Sequence, residues 1–159
     1  MVIREILTLL DQHGEGLTGQ TLIAYPAGTV ANGTTATDLG TGEYELVIDP
    51  LGNNAKMSKY YDIYIDGVLK QRNKFFQNWE WKVANKEIRK ETTLVFADLT
   101  DENGDALPTT ITNAEIILLP KADRLGLISA ITDTNFTINV STAGGADYGV
   151  FDIIIKKTK

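Results

Sequence analysis

Tyr61-Asp62-Ile63-Tyr64-Ile65-Asp66-Gly67-Val68-Leu69-Lys70-Gln71 is the stretch whose reading decides the fold. Two β-prone runs are separated by one Asp-Gly pair. A two-residue hairpin turn needs positive φ at both central positions, which Asp tolerates and Gly adopts freely, so the stretch predicts an antiparallel hairpin. On its N-terminal side, Thr21-Leu22-Ile23-Ala24-Tyr25 stops at Pro26, and Gly42-Glu43-Tyr44-Glu45-Leu46-Val47-Ile48 places Tyr44, Leu46 and Ile48 on one face. This two-residue period, punctuated by turn residues, is the pattern of half-buried strands. Residues 2–10 admit either a strand or a helix carrying Ile3, Ile6, Leu7 and Leu10.

On the C-terminal side, Phe75 to Val83 alternates at Trp79, Trp81 and Val83, and Asn85 to Glu91 is polar and charged. The latter reads as a linker or short helix, which puts a domain boundary near residue 90. From Thr92 the strand pattern resumes through Thr93-Leu94-Val95-Phe96, a turn at Asn103-Gly104, Ala114 to Leu119 before Pro120, Leu127 to Ile131, Asn135 to Val140 and Gly149 to Ile155. Short strands at hairpin spacing, without long helical periodicity, predict an all-β chain of two small antiparallel β-sandwich domains in tandem, 1–90 and 91–159.

Composition narrows the chemistry. The 159 residues carry 15 Lys+Arg against 21 Asp+Glu, one histidine and no cysteine. Disulfides, thiol catalysis and thiolate metal sites are excluded, and most histidine chemistry with them. His13 lies in the turn Asp11-Gln12-His13-Gly14-Glu15-Gly16 with no Gly-x-Ser-x-Gly elbow to serve, so it reads as a solvated turn residue. Asp101-Glu102-Asn103-Gly104-Asp105 spaces oxygens as a Ca²⁺ loop does, but Ala106 and Thr112 stand where that loop needs Gly and Glu, so an acidic turn is the stronger reading. Gly14-x-Gly16, Gly40-x-Gly42 and Gly144-Gly145 lack the remainder of any phosphate-binding motif and read as turns. No catalytic residue, cofactor or metal ligand is expected, and the chain is read as a non-enzyme. No apolar run approaches the roughly 20 residues of a membrane span. Glu5 and the missing small-residue cleavage site argue against a signal peptide.

Charge is unevenly distributed. Residues 1–55 have a net charge of -6, residues 56–90 of +5 and residues 91–159 of -5. The basic middle also holds Tyr60, Tyr61, Tyr64, Phe75, Phe76, Trp79 and Trp81. Aromatic and arginine side chains dominate interface hot spots, so Phe75, Phe76, Trp79, Trp81, Lys82, Lys86 and Arg89 are the candidate partner-binding residues. Stacking of single-stranded nucleic acid is the other use of such a stretch, but its acidic flanks oppose it.

Two resemblances bear on function. Residues 6–69 resemble the transthyretin-like, or carboxypeptidase-regulatory-like, sandwich through Leu10-Asp11, Gly14, Gly16-Leu17-Thr18-Gly19, Thr37-Asp38, Gly42-Glu43-Tyr44-Glu45-Leu46 and Tyr61-Asp62-Ile63-Tyr64-Ile65-Asp66-Gly67. Asp66-Gly67-Val68-Leu69 is also similar to segments of tailed-phage fibre and neck proteins. Residues 114–155 resemble the terminal sandwich of phage tail-fibre proteins, in which a strand ending at Pro precedes a pattern like Ile131-Thr132-Asp133-Thr134-Asn135-Phe136-Thr137-Ile138-Asn139. That family's last strand usually carries Trp, whereas this one reads Val150-Phe151-Asp152-Ile153-Ile154, so no carbohydrate role carries over. The resemblances imply a structural, attachment component of a tailed-phage particle, of fibre, neck or head-decoration type. They further imply other virion proteins as partners and residence in the virion after synthesis in the host cytoplasm, while strand edges that must be covered point to a homo-oligomer and the lack of an apolar span to no membrane contact. The alternative is a cell-surface or secreted glycan-binding sandwich that uses exposed aromatic platforms.

Overall fold

The computed structural model describes residues 1–122, 124–141 and 148–159; the Gly144-Gly145 turn lies outside them. The chain is all-β, with four antiparallel sheets forming two sandwich-like units and no α-helix among the described residues. The first unit is Met1–Gln77 and the second Asn78–Lys159.

In the first unit, β1 (Ile3–Thr8) pairs with β5 (Glu43–Ile48), which also holds β4 (Thr37–Asp38). Residues 3–8 are therefore strand, which resolves the strand-or-helix alternative. The facing sheet runs β3 (Thr34–Thr35), β2 (Leu22–Pro26), β6 (Tyr61–Ile65), β7 (Val68–Lys74). Asp66 and Gly67 both take positive φ, 50° and 78°, as the hairpin reading requires. Ile3, Leu22, Ala24, Tyr44, Leu46, Ile48, Tyr61 and Ile63 are buried in this unit. The Tyr44 hydroxyl donates to the Leu17 carbonyl (3.0 Å) and accepts from the Gln20 N–H (3.1 Å), so the buried phenol has polar partners.

In the second unit, β8 (Glu80–Arg89) and β10 (Ala114–Pro120) flank β13 (Tyr148–Lys157). The other sheet places β12 (Asn135–Ser141) between β9 (Glu91–Val95) and β11 (Leu125–Ile131). The stretch read as a linker is thus the C-terminal half of a ten-residue strand, and the division falls after Gln77 rather than near residue 90. Its strand character is masked by a β-bulge. Between Phe151 and Ile153 the register on β13 steps from Lys86 to Val83, so the buried positions change parity from Trp81 and Val83 to Ile88.

The units are two versions of one architecture. The orders β4-β5-β1 and β2-β6-β7 correspond to β11-β12-β9 and β10-β13-β8. Pro26 pairs with Tyr61 as Pro120 pairs with Phe151. After the first strand, Asp11 Oδ1 accepts the N–H groups of His13 (2.7 Å) and Glu15 (3.0 Å), and Asp101 Oδ1 accepts those of Asn103 (2.9 Å) and Asp105 (3.0 Å). The Leu17 N–H donates to the Leu9 carbonyl (2.9 Å) as that of Leu107 does to Leu99 (3.1 Å). Both edge strands β7 and β8 bulge opposite a buried aspartate of the central strand. Asp62 accepts the N–H of Asn73 (3.0 Å) and Asp152 that of Asn85 (2.9 Å), the two asparagines having φ of 53° and 52°. One element differs in connection. The strand beside β6 follows it in the chain, whereas the strand beside β13 arrives from the N-terminal side of its unit.

Candidate functional site

The candidate residues do not form one surface, because the unit boundary runs through them. Phe75 and Phe76 end the first unit. Phe75 is exposed against Tyr60, with ring centroids 6.1 Å apart, and Phe76 packs on Tyr61 at 5.6 Å. Trp79 and Trp81 are buried in the second unit, stacked at 6.3 Å with 13° between their planes. Residues two apart on a strand share a face, and here that face is the core. Both tryptophans are therefore core residues and are withdrawn from the docking set. The Trp81 indole N–H is buried without an acceptor among the described residues.

The basic residues alternate with them toward solvent. The Lys82 ammonium lies 3.3 Å from Glu102 and 4.0 Å from Asp152. Lys86 borders a depression of about 370 Å³ with Val83, Ala84 and the segment from Asp98 to Glu102. The Arg89 guanidinium sits 5.4 Å from the Tyr148 ring centroid, and the Tyr148 hydroxyl donates to Glu87 at 2.8 Å. Divided at the observed boundary, the first unit holds six Lys/Arg against nine Asp/Glu and the second nine against twelve, a net of -3 each. The basic middle segment thus combines the charges of two edge strands, β7 and β8. Charged side chains on edges discourage pairing with other chains.

Among edge strands longer than two residues, that protection has one gap. The edge strands β1, β7, β8 and β9 carry Arg4 and Glu5, Lys70, Arg72 and Lys74, Glu80 through Arg89, and Glu91, while β10 has Glu115 and Pro120. Edge strand β11, Leu-Gly-Leu-Ile-Ser-Ala-Ile, has neither a charge nor a proline. Leu127 is 59% exposed, and Leu125 and Ile131 are exposed as well. Nothing in its sequence reading separated this strand from the others, because which strands are edges is a tertiary property.

The acidic features are structural in their geometry. The Asp101 carboxylate is engaged by its own turn, and no group of three His, Cys, Asp or Glu is placed to hold a metal among the described residues. The backbone N–H groups of Gly28 (3.0 Å) and Asn73 hold the Asp62 carboxyl below the usual carboxylate range. The Lys121 ammonium, 2.6 Å away, and the Asn85 N–H do the same for Asp152. No helix among the described residues is long and apolar enough to cross a membrane. No family model, curated protein or solved structure matches the chain.

Proposed function

We propose that the chain is a non-enzymatic structural component of a tailed-phage particle, of fibre, neck or head-decoration type, whose work is attachment to other virion proteins and to copies of itself. The observation that carries this reading is the unguarded β11 edge in a chain whose other edges longer than two residues carry a charge or a proline. An exposed edge offers a row of backbone donors and acceptors to another strand. Two antiparallel copies of β11 would bring no like charges together at any register, so the strand suits a second copy of itself. The glycan-binding alternative depended on exposed aromatic platforms, and burial of Trp79 and Trp81 removes the strongest of them.

Light scattering on the intact chain is expected to find an oligomer, and Leu127→Lys is expected to return it to a monomer that melts where the wild type does at dilutions at which the wild type is itself monomeric, since the residue faces solvent. A strictly monomeric wild-type chain that binds a glycan array would overturn the reading. Mass spectrometry of purified phage particles tests the particle assignment directly, with the chain expected among the virion proteins.

A further inference from the structure

The β11 edge is not uniform along its length. Between Ile128 and Ala130 the pairing with β12 skips Ser129, a β-bulge, and the Ser129 hydroxyl donates to the Thr137 carbonyl at 3.4 Å. A bulge bends its strand and interrupts regular pairing, so the straight, pairable part of this edge is Leu125 to Ile128. Its two faces differ. Gly126 and Ile128 lie opposite the buried Val140 and Ile138, and so point toward the core. Leu125 and Leu127 lie opposite Ser141 and Asn139 on the other face, and each is 59% exposed. Further along that face Thr137 and Thr93 meet through their hydroxyls at 2.9 Å, and Asn139 lies opposite Glu91. The two leucines are thus an apolar strip at the rim of a polar sheet face, where a strand added to the edge would cover them.

Symmetry narrows how a second β11 can do so. A two-fold axis that joins two antiparallel edges runs normal to the sheet, so each residue meets one that points to the same side. Leu125 opposite itself carries Leu127 past the start of the other copy's strand. Leu127 opposite itself sets Leu125 against the bulged Ser129. Gly126 opposite itself sets Leu125 of each copy against Leu127 of the other, and only this register pairs every exposed leucine of the straight segment. Gly126 suits the axis for a second reason. A Cβ there would fall 2.8 Å from Leu118 Cδ1 and 3.0 Å from Phe151 Cε1, so the core fills the space and the axis carries no side chain.

We propose that two copies join across β11 with Gly126 on the two-fold axis and Leu125 of each copy against Leu127 of the other. The result is one continuous sheet of order β9-β12-β11-β11-β12-β9. This rests on the self-association put forward above and adds which residues meet. The outer strands of the joined sheet are the two copies of β9, which carry Glu91. A charge there discourages further pairing, so assembly through this edge closes at a dimer.

The chain has no cysteine, so introduced thiols report the register directly. Residues directly opposite in an antiparallel pair have Cβ atoms about 4.5–5.5 Å apart, and diagonal ones about 7–8 Å. A disulfide needs about 3.5–4.5 Å, which the first can reach and the second cannot. Leu125→Cys and Leu127→Cys chains are incubated separately and as an equal mixture in a glutathione redox buffer, then resolved by non-reducing electrophoresis. The mixture is expected to crosslink and neither chain alone. Leu125→Ala is expected to weaken dimerisation by about two- to thirtyfold, the loss of two cross-strand pairs. Crosslinking of either single variant by itself would overturn the register and leave β11 self-pairing standing. So would a wild-type dimer that Leu127→Lys dissociates but that crosslinks in no sample, or one that Leu125→Ala leaves equally tight. An assembly larger than a dimer that Leu127→Lys takes wholly to monomer would overturn the closed arrangement. A monomeric wild type, or an oligomer that Leu127→Lys leaves whole, would remove self-association through β11 altogether.

Discussion

Trp81 combines a buried apolar ring with an indole N–H that has no acceptor among the described residues. Truncation to Ala would leave a large cavity and is expected to cost about 3–5 kcal/mol. Trp81→Phe keeps an aromatic ring and removes the unsatisfied donor, which recovers desolvation free energy and offsets part of the lost area. Chemical denaturation should therefore rank Phe far above Ala, and near wild type. An interface role for Trp81 would predict the reverse pattern, with lost assembly at unchanged stability. Asp62 and Asp152 make a second prediction at this scale. Both carboxyls lie below their usual value, Asp62 because it accepts the backbone N–H groups of Gly28 and Asn73, and Asp152 because it faces Lys121 and accepts the Asn85 N–H. A group whose folded pKa is lowered stabilises the fold fully above its unfolded value of about 3.9, and that contribution disappears as pH falls through the folded value. Urea midpoints measured from neutral to strongly acid pH should decline steeply in the wild type. They should begin lower and decline less in Asp62→Asn and Asp152→Asn.

Strand β8 belongs by pairing to β13, from which it is separated by most of the second unit, and it contributes two of the largest buried side chains there. A chain of residues 78–159 is accordingly expected to fold alone. A chain of residues 91–159 keeps the domain limits that alternation and charge suggest, but it loses both tryptophans and leaves β13 unpaired on one side. It is expected to be unfolded or aggregated by circular dichroism and light scattering. The bulge explains why the sequence reads otherwise. Inserting residues into one strand reverses the inside–outside parity of everything after them, so Ala84 to Glu87 look like a polar linker while Ile88 is fully buried. The Asp66-Gly67 hairpin had no such obstacle, because a two-residue turn is set by the φ preferences of those two residues.

For the whole molecule, the repetition of one sandwich explains features that look unrelated along the chain. Leu9, Asp11, Gly14 and Leu17 return as Leu99, Asp101, Gly104 and Leu107, Asp62-Ile63 as Asp152-Ile153, and Asn73-Lys74 as Asn85-Lys86. The pairs emerge when the two sandwiches are matched strand by strand. The last follows a different spacing, because the edge strand precedes its unit in the second sandwich and follows it in the first. A search for a repeat at one fixed spacing cannot align it.

The sequence by itself determined the all-β class, the tandem organisation, the Asp-Gly hairpin and the absence of thiol chemistry, all of which follow from local conformational preference or composition. Tertiary structure alone decided that Trp79 and Trp81 are core, that residues 80–89 complete the second sandwich, that β11 is an edge without a charge or a proline, and that Leu17 and Val68 are exposed where Leu107 and Trp81 are buried. Those outcomes depend on which strand lies beside which, and on the direction from which it arrives. Burial and exposure are set by neighbours distant in the chain, which no local pattern specifies.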